Sequence, residues 1–134
     1  MKFACADDVQ GSALPFHHGS ICFVLKSCGR YGNAWRMSHN PYTDSLYDLL
    51  DRTGTMVWDE NRDYGPEYSS EMHDMVKSHR NHPSIVVWSF CNEYECLQIT
   101  NQTGDLFRAA ALAVDSTRPL AANGYTTGLD VQGH

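Results

Sequence analysis

Several things are missing from this sequence, and each absence excludes a class of function. No apolar stretch approaches the roughly eighteen residues needed to cross a bilayer, so no membrane partner is expected. Basic residues are few: 10 Lys and Arg stand against 16 Asp and Glu, for a formal net charge of −6. They are scattered and form no stripe, which excludes a nucleic-acid surface. No Gly-x-Gly-x-x-Gly or Gly-Lys-Ser/Thr loop follows a strand-like run, which removes the main nucleotide-binding folds. The start, Met1 to Asp8, has too short an apolar segment for a secretory signal and is interrupted by acids, so a cytoplasmic location is the default expectation. Five cysteines (Cys5, Cys22, Cys28, Cys91, Cys96) make an odd number without a regular framework, and free thiols in a reducing compartment are expected. The pairs His17-His18 and His79-x-x-His82 carry no acid or cysteine at ligand spacing, so neither a metal nor another cofactor is expected.

What is present is a globular composition, 42% hydrophobic with 19% charged residues. From residue 33 onward, strand-like and helix-like runs alternate. Asn33 to Met37 reads as a strand, followed by the turn Ser38-His39-Asn40-Pro41. The spacing of Leu46, Leu49 and Leu50 predicts a helix from about Asp44 to Arg52, and Gly54 closes it as a cap. Thr55 to Asp59 is the next strand. Pro66 then opens a helix whose inner face is Tyr68, Met72, Met75, Val76 and His79. Ser84 to Phe90 is a third strand of this series. A helix from about Gly104 to Val114 leads to the strand Pro119 to Asn123, and Leu129 to Gln132 begins another. Asn101-Gln102-Thr103 is a formal glycosylation sequon but is expected to mark a helix start. Strands alternating with helices of this length mean parallel βαβ units and an α/β fold.

The most informative run is Arg80-Asn81-His82-Pro83-Ser84-Ile85-Val86-Val87-Trp88-Ser89-Phe90-Cys91-Asn92-Glu93. Pro83 stops the preceding helix because it lacks an amide proton and disfavours helical geometry just before it. Ile85 to Trp88 is a short apolar strand, expected to be covered on both faces. Asn92 and Glu93 follow where the strand meets solvent. Polar residues also follow the other strands: Ser38-His39-Asn40, Asp59-Glu60-Asn61, Asn123 and Gly133-His134. Barrel enzymes build their sites from such carboxyl-terminal strand ends.

This run resembles the acid/base signature of family 2 glycoside hydrolases, the β-galactosidase, β-glucuronidase and β-mannosidase type, whose catalytic domain is a (β/α)8 barrel. Arg36-Met37-Ser38-His39-Asn40-Pro41 is similar to that family's Arg-x-Ser-His-x-Pro element on the second barrel strand. One departure is His79, where the family often carries an acid. A whole barrel needs about 250 residues. The resemblance therefore implies a partial TIM barrel over residues 33–134, with about five recognisable parallel strands, after a divergent segment at 1–32.

The resemblance further implies hydrolysis of a terminal β-linked sugar with retention, which needs two carboxyl groups about 5 Å apart. Glu93 matches the general acid/base. The apolar Val87, Trp88 and Phe90 before it favour a raised carboxyl pKa. By spacing alone it reads rather as an exposed glutamate after a strand, and the full motif match favours the site. Asn92 matches a residue that binds the sugar's 2-hydroxyl, and otherwise reads as a turn-capping asparagine. Arg36 is mid-strand and needs a carboxylate, either Asp59, Glu60 or Glu93. His39 resembles a substrate-pocket histidine or is simply a turn residue. Asp59 and Glu60 read as ion-pair residues, and Trp35, Trp58 and Trp88 as core. The family's nucleophile is a glutamate on its seventh strand, and this sequence reaches only about the sixth. A second reading keeps the frame without the chemistry, as a non-catalytic barrel remnant that binds carbohydrate weakly or docks a partner. Exposed sheet edges would favour self-association.

Overall fold

The computed structural model describes residues 3–5, 33–92, 96, 101–123 and 131–132. Six parallel strands form one sheet in chain order: β1 (Phe3–Cys5), β2 (Ala34–Arg36), β3 (Met56–Glu60), β4 (Ile85–Asn92), β5 (Leu120–Asn123) and β6 (Val131–Gln132). Among the described residues, each strand pairs with its neighbours in sequence. That order is the one a barrel winds in, since each crossover returns the chain beside the strand it left. The expected partial barrel is thus present, with one strand more than the sequence pattern delineated. The added strand, Phe3–Cys5, lies in a stretch too short to announce itself by periodicity, and β2 supplies its pairing. The apolar run Ile21 to Leu25 lies outside the described residues, as do His17, His18, Cys22 and Cys28.

Among the described residues, three α-helices cover the sheet: α1 (Asp44–Thr53), α2 (Ser69–His79) and α3 (Asn101–Leu112). In α1, Asp44 and Arg52 sit at the ends that suit the helix dipole. Gly54 ends the helix at φ +67, where a side chain would be strained, and its amide reaches the Asp51 and Leu50 carbonyls. Leu46 and Leu50 are buried as expected, together with Tyr47, while Leu49 is only half-buried. A 3-10 turn at Pro66–Tyr68 leads into α2. Met72, Met75, Val76 and His79 form the buried face of α2, with Tyr68 partly buried against the core. α3 begins at Asn101, on the sequon, and its Phe107 stacks on Phe90 of β4 at 5.0 Å between ring centres. Burying each such side chain contributes about 1.5–3 kcal/mol, so this helix–sheet layer is the chief source of stability.

The two faces of β4 do different work. Trp88 and Phe90 face the helices, and the Trp88 indole N–H donates to Asp115 at 3.0 Å. Arg118 lies over the Trp88 ring and ties Asp115 to the Ile85 and His82 carbonyls. Val86 and Val87 are only half-buried, so this strand is less fully covered than its composition suggests. β4 also carries two irregularities in register, between the partners of Val57 and Trp58 and between Ser89 and Asn92. No helix among the described residues is long and apolar enough to cross a membrane.

Candidate active site

Side chains alternate across a strand, so adjacent residues of β3 point to opposite faces. Asp59 turns toward the helices. It accepts a 2.6 Å hydrogen bond from the Tyr47 hydroxyl of α1 and lies 2.8 Å from His79 Nδ1 of α2. Burial, then the Asp59 charge, push the Tyr47 phenol well above its ordinary pKa, so it remains the donor. Glu60 turns the other way and is fully buried. The pairing of Arg36 is therefore decided in favour of Glu60: Nε donates to Oε2 at 2.9 Å and Nη2 to Oε1 at 3.0 Å.

Glu60 gathers the rest of the cluster. His39 Nδ1, in the turn after β2, lies 2.9 Å from Oε1, and the Ser89 hydroxyl of β4 donates to Oε2 at 3.2 Å. Burial pushes the Glu60 carboxyl upward, and the Arg36 charge and the His39 contact oppose it without cancelling it. Arg36 Nη2 also donates to Asn92 Oδ1 at 2.6 Å. Arg36 and His39, from the end of β2 and the turn after it, thus meet a carboxylate at the end of β3, and Arg36 links Asn92 of β4 to the pair. A cis peptide joins Ser38 to His39 in this turn. Ser89 was not foreseen, because a serine inside an apolar strand carries no signal of its own; only the register beside Glu60 reveals it.

The placement of Asn92 depends on a bulge. Ser89 pairs with Ala121 and Asn92 with Asn123, so β4 spends three residues where β5 spends two. In a regular strand, residues 89 and 92 would face opposite ways; one extra residue restores them to the same side. Both then reach the Arg36–Glu60 pair. Glu93 and Glu95 lie outside the described residues.

One expectation is revised. Cys91 and Cys96 are not free thiols: they form a disulfide, with Cα atoms 5.3 Å apart and both residues buried. Sequence counting alone could not pair these two cysteines, which lie five positions apart. The histidines of His79-x-x-His82, without acids at ligand spacing in sequence, each meet one in space. His79 faces Asp59, and His82 Nδ1 lies 2.7 Å from Asp51 Oδ2. Asp48, Asp51 and His82 are close enough together to be considered as cation ligands. Asp51, however, is engaged by His82 and by the Ser84 amide at 2.9 Å, a clasp on the turn before β4. Burial raises the Asp51 carboxyl, but the Ser84 and His82 contacts outweigh it and hold it below its usual range. A cavity of about 440 Å³ near Arg62, Asp74 and His79 lies on the other side of β3 and is not lined by Arg36, His39 or Asn92.

Comparison with known proteins gives the same frame. The family model described as "Glycosyl hydrolases family 2, TIM barrel domain" matches residues 24–65 and 60–132. A β-glucuronidase of Sus scrofa is 36% identical over 73 residues, covering 46% of this chain and 11% of that protein. A solved family 2 glycosyl hydrolase from Bacteroides cellulosilyticus superposes with a TM-score of 0.70 at 32% identity, covering 85% of this chain and 18% of the other. A β-galacturonidase from Eisenbergiella tayi, bound to galacturonate, gives a TM-score of 0.69 at 26% identity, covering 92% and 24%. The chain therefore spans between 11% and 24% of the length of these proteins.

Proposed function

Because the chain belongs to glycosyl hydrolase family 2, through the TIM barrel domain of that family, we propose that it carries the acid/base side of a retaining glycosidase site. The observation that supports this most directly is the convergence of Arg36 and His39 on Glu60, with Asn92 held by Arg36, at the carboxyl ends of three adjacent parallel strands. Glu93, next in sequence after Asn92, takes the role of general acid/base. It protonates the leaving oxygen and then activates the water that releases the sugar. Asn92 contacts the 2-hydroxyl, with its amide oriented by Arg36, and His39 lines the pocket.

Glu60 does not serve as the nucleophile in this reading. Its two oxygens are held by Arg36, His39 and Ser89, and it sits in the floor of the site. The attacking carboxylate belongs, by family, to the seventh strand. For substrate we propose a terminal β-linked uronic acid, since the similar proteins include a β-glucuronidase and a β-galacturonidase. The edge strands β1 and β6 each have one neighbour among the described residues. This supports self-association of the isolated chain, which sedimentation would detect.

The test uses a longer polypeptide that contains this chain together with the rest of the barrel, and its Glu93→Gln variant. Aryl β-glucuronides with good leaving groups need little acid help, whereas poor ones need it fully. Loss of about 10²–10⁴-fold is expected on poor leaving groups, with much less on good ones. Equal loss on both, or none, would reject Glu93 as the acid. A wild-type polypeptide that hydrolyses nothing would favour the non-catalytic remnant.

A further inference from the structure

We propose that the Cys91–Cys96 disulfide is a redox-sensitive clamp on the segment carrying Asn92 and Glu93. The clamp itself rests on geometry, and its catalytic consequence rests on the glycosidase reading above. Cys91 is the penultimate residue of β4, and the disulfide closes a ring whose interior is Asn92 to Glu95. That interior holds the residue bonded to Arg36 and the residue assigned as acid/base.

The bulge supplies the reason for a tie at this point. A residue inserted between Ser89 and Asn92 interrupts the regular pairing of β4 with β5, so the ladder holds the strand end less firmly there. The Arg36–Asn92 hydrogen bond requires that end to stay on the Ser89 side. The disulfide fixes it covalently, immediately beyond the irregularity. Stabilisation of the whole fold is a weaker explanation. The entropy that a cross-link removes from the unfolded chain grows with the length of the loop it closes, and this one has a sequence separation of only 5.

The chemistry is ordinary thiol–disulfide exchange. A thiolate of a small dithiol attacks one sulfur, and the S–S bond breaks with the other cysteine leaving as thiolate. The second thiol of the reductant then resolves the mixed disulfide. Two electrons and two protons pass to Cys91 and Cys96, and the dithiol becomes a cyclic disulfide. A low-molecular-weight disulfide such as oxidised glutathione reverses the change. Both cysteines are buried, so reduction requires the strand end to open.

The experiment compares the 134-residue chain before and after dithiothreitol. Alkylation and peptide mapping should find Cys91 linked to Cys96 in the oxidised chain. On reduction, hydrogen exchange of the backbone amides around 89–92 should accelerate by about tenfold or more, while Val57 and Trp58 in β3 keep their protection. Oxidised glutathione should restore the original pattern. The Cys91→Ala/Cys96→Ala double variant should show the reduced pattern permanently; where it fails to fold, the reduced wild-type chain decides. Free thiols at both positions in the oxidised chain would overturn the proposal, as would unchanged exchange or a loss spread evenly over the sheet.

Activity forms a separate arm. In the longer polypeptide, reduction should slow poor leaving groups by about tenfold and good ones by less than about twofold, as weakened acid assistance requires. An unchanged rate on poor leaving groups would overturn the catalytic consequence. An oxidised polypeptide without any hydrolysis would overturn the glycosidase reading, with the clamp still judged by exchange.

Discussion

Arg36 and Asn92, 56 positions apart in sequence, are joined by a 2.6 Å hydrogen bond from Nη2 to Oδ1. The contact joins the two family motifs, one at the end of β2 and the other at the end of β4. It exists because a bulge turns Asn92 to the face on which Ser89 and Glu60 already lie. The guanidinium binds the carboxylate of Glu60 and orients the amide of Asn92 at once.

Removing either member of the Arg36–Glu60 pair should not cost the same. Arg36→Met leaves a buried carboxylate without its cation and should destabilise by about 3 kcal/mol in denaturant unfolding. Glu60→Gln should cost less, about 1 kcal/mol, because burial already disfavours the charged form of this carboxyl. The sign of the pH effect follows. A carboxyl whose folded pKa is raised contributes stability below its unfolded value and loses it as pH rises through the folded value. Without Arg36 the rise is larger, so Arg36→Met should regain stability as pH falls from neutrality and Glu60→Gln should not.

Asn92→Ala should lower kcat/KM of the longer polypeptide on β-glucuronides by about 10- to 100-fold, the loss expected for a 2-hydroxyl contact that strengthens in the transition state. A 2-deoxy substrate should show much less difference between variant and wild type. An equal loss on both substrates would remove Asn92 from that role.

Tyr47→Phe deletes a buried donor to the Asp59 carboxylate at 2.6 Å. It should destabilise by about 2 kcal/mol, as for a hydrogen bond to a charged group. Chemical denaturation of the isolated chain measures this. The effect on substrate turnover should be small, because Asp59 faces the helices and not the Arg36 cluster.

Asp115 should contribute to acid sensitivity. Burial raises its carboxyl, but the Thr117 hydroxyl and amide, Arg118 and the Trp88 indole outweigh this and hold it well below the usual range. Stability from a depressed carboxyl is present above the unfolded value of about 3.9 and fades as pH falls through the folded value. Asp115→Asn should therefore be less stable than wild type at pH 7 by about 2 kcal/mol. The gap should narrow below about pH 4, as urea unfolding at both pH values would show.

Much of this was already legible in the chain. The βαβ frame followed from apolar periodicity punctuated by Pro66, Pro83 and Gly54, and the inner face of α2 from its spacing. These features are set within a few residues by backbone geometry and local burial, so no distant partner is needed to read them. Arg36 could be recognised as needing a carboxylate, and Glu60 was among the candidates.

The choice of Glu60 over Asp59 waited for the tertiary structure, because it depends on which face of β3 meets β2. Recruitment of Ser89, the turning of Asn92 by a bulge, the pairing of Cys91 with Cys96 and the strand at Phe3–Cys5 waited for it too. Each joins residues through register or through proximity in space. A shift of one residue sends a side chain to the opposite face, and the sequence alone carries no local mark of that shift.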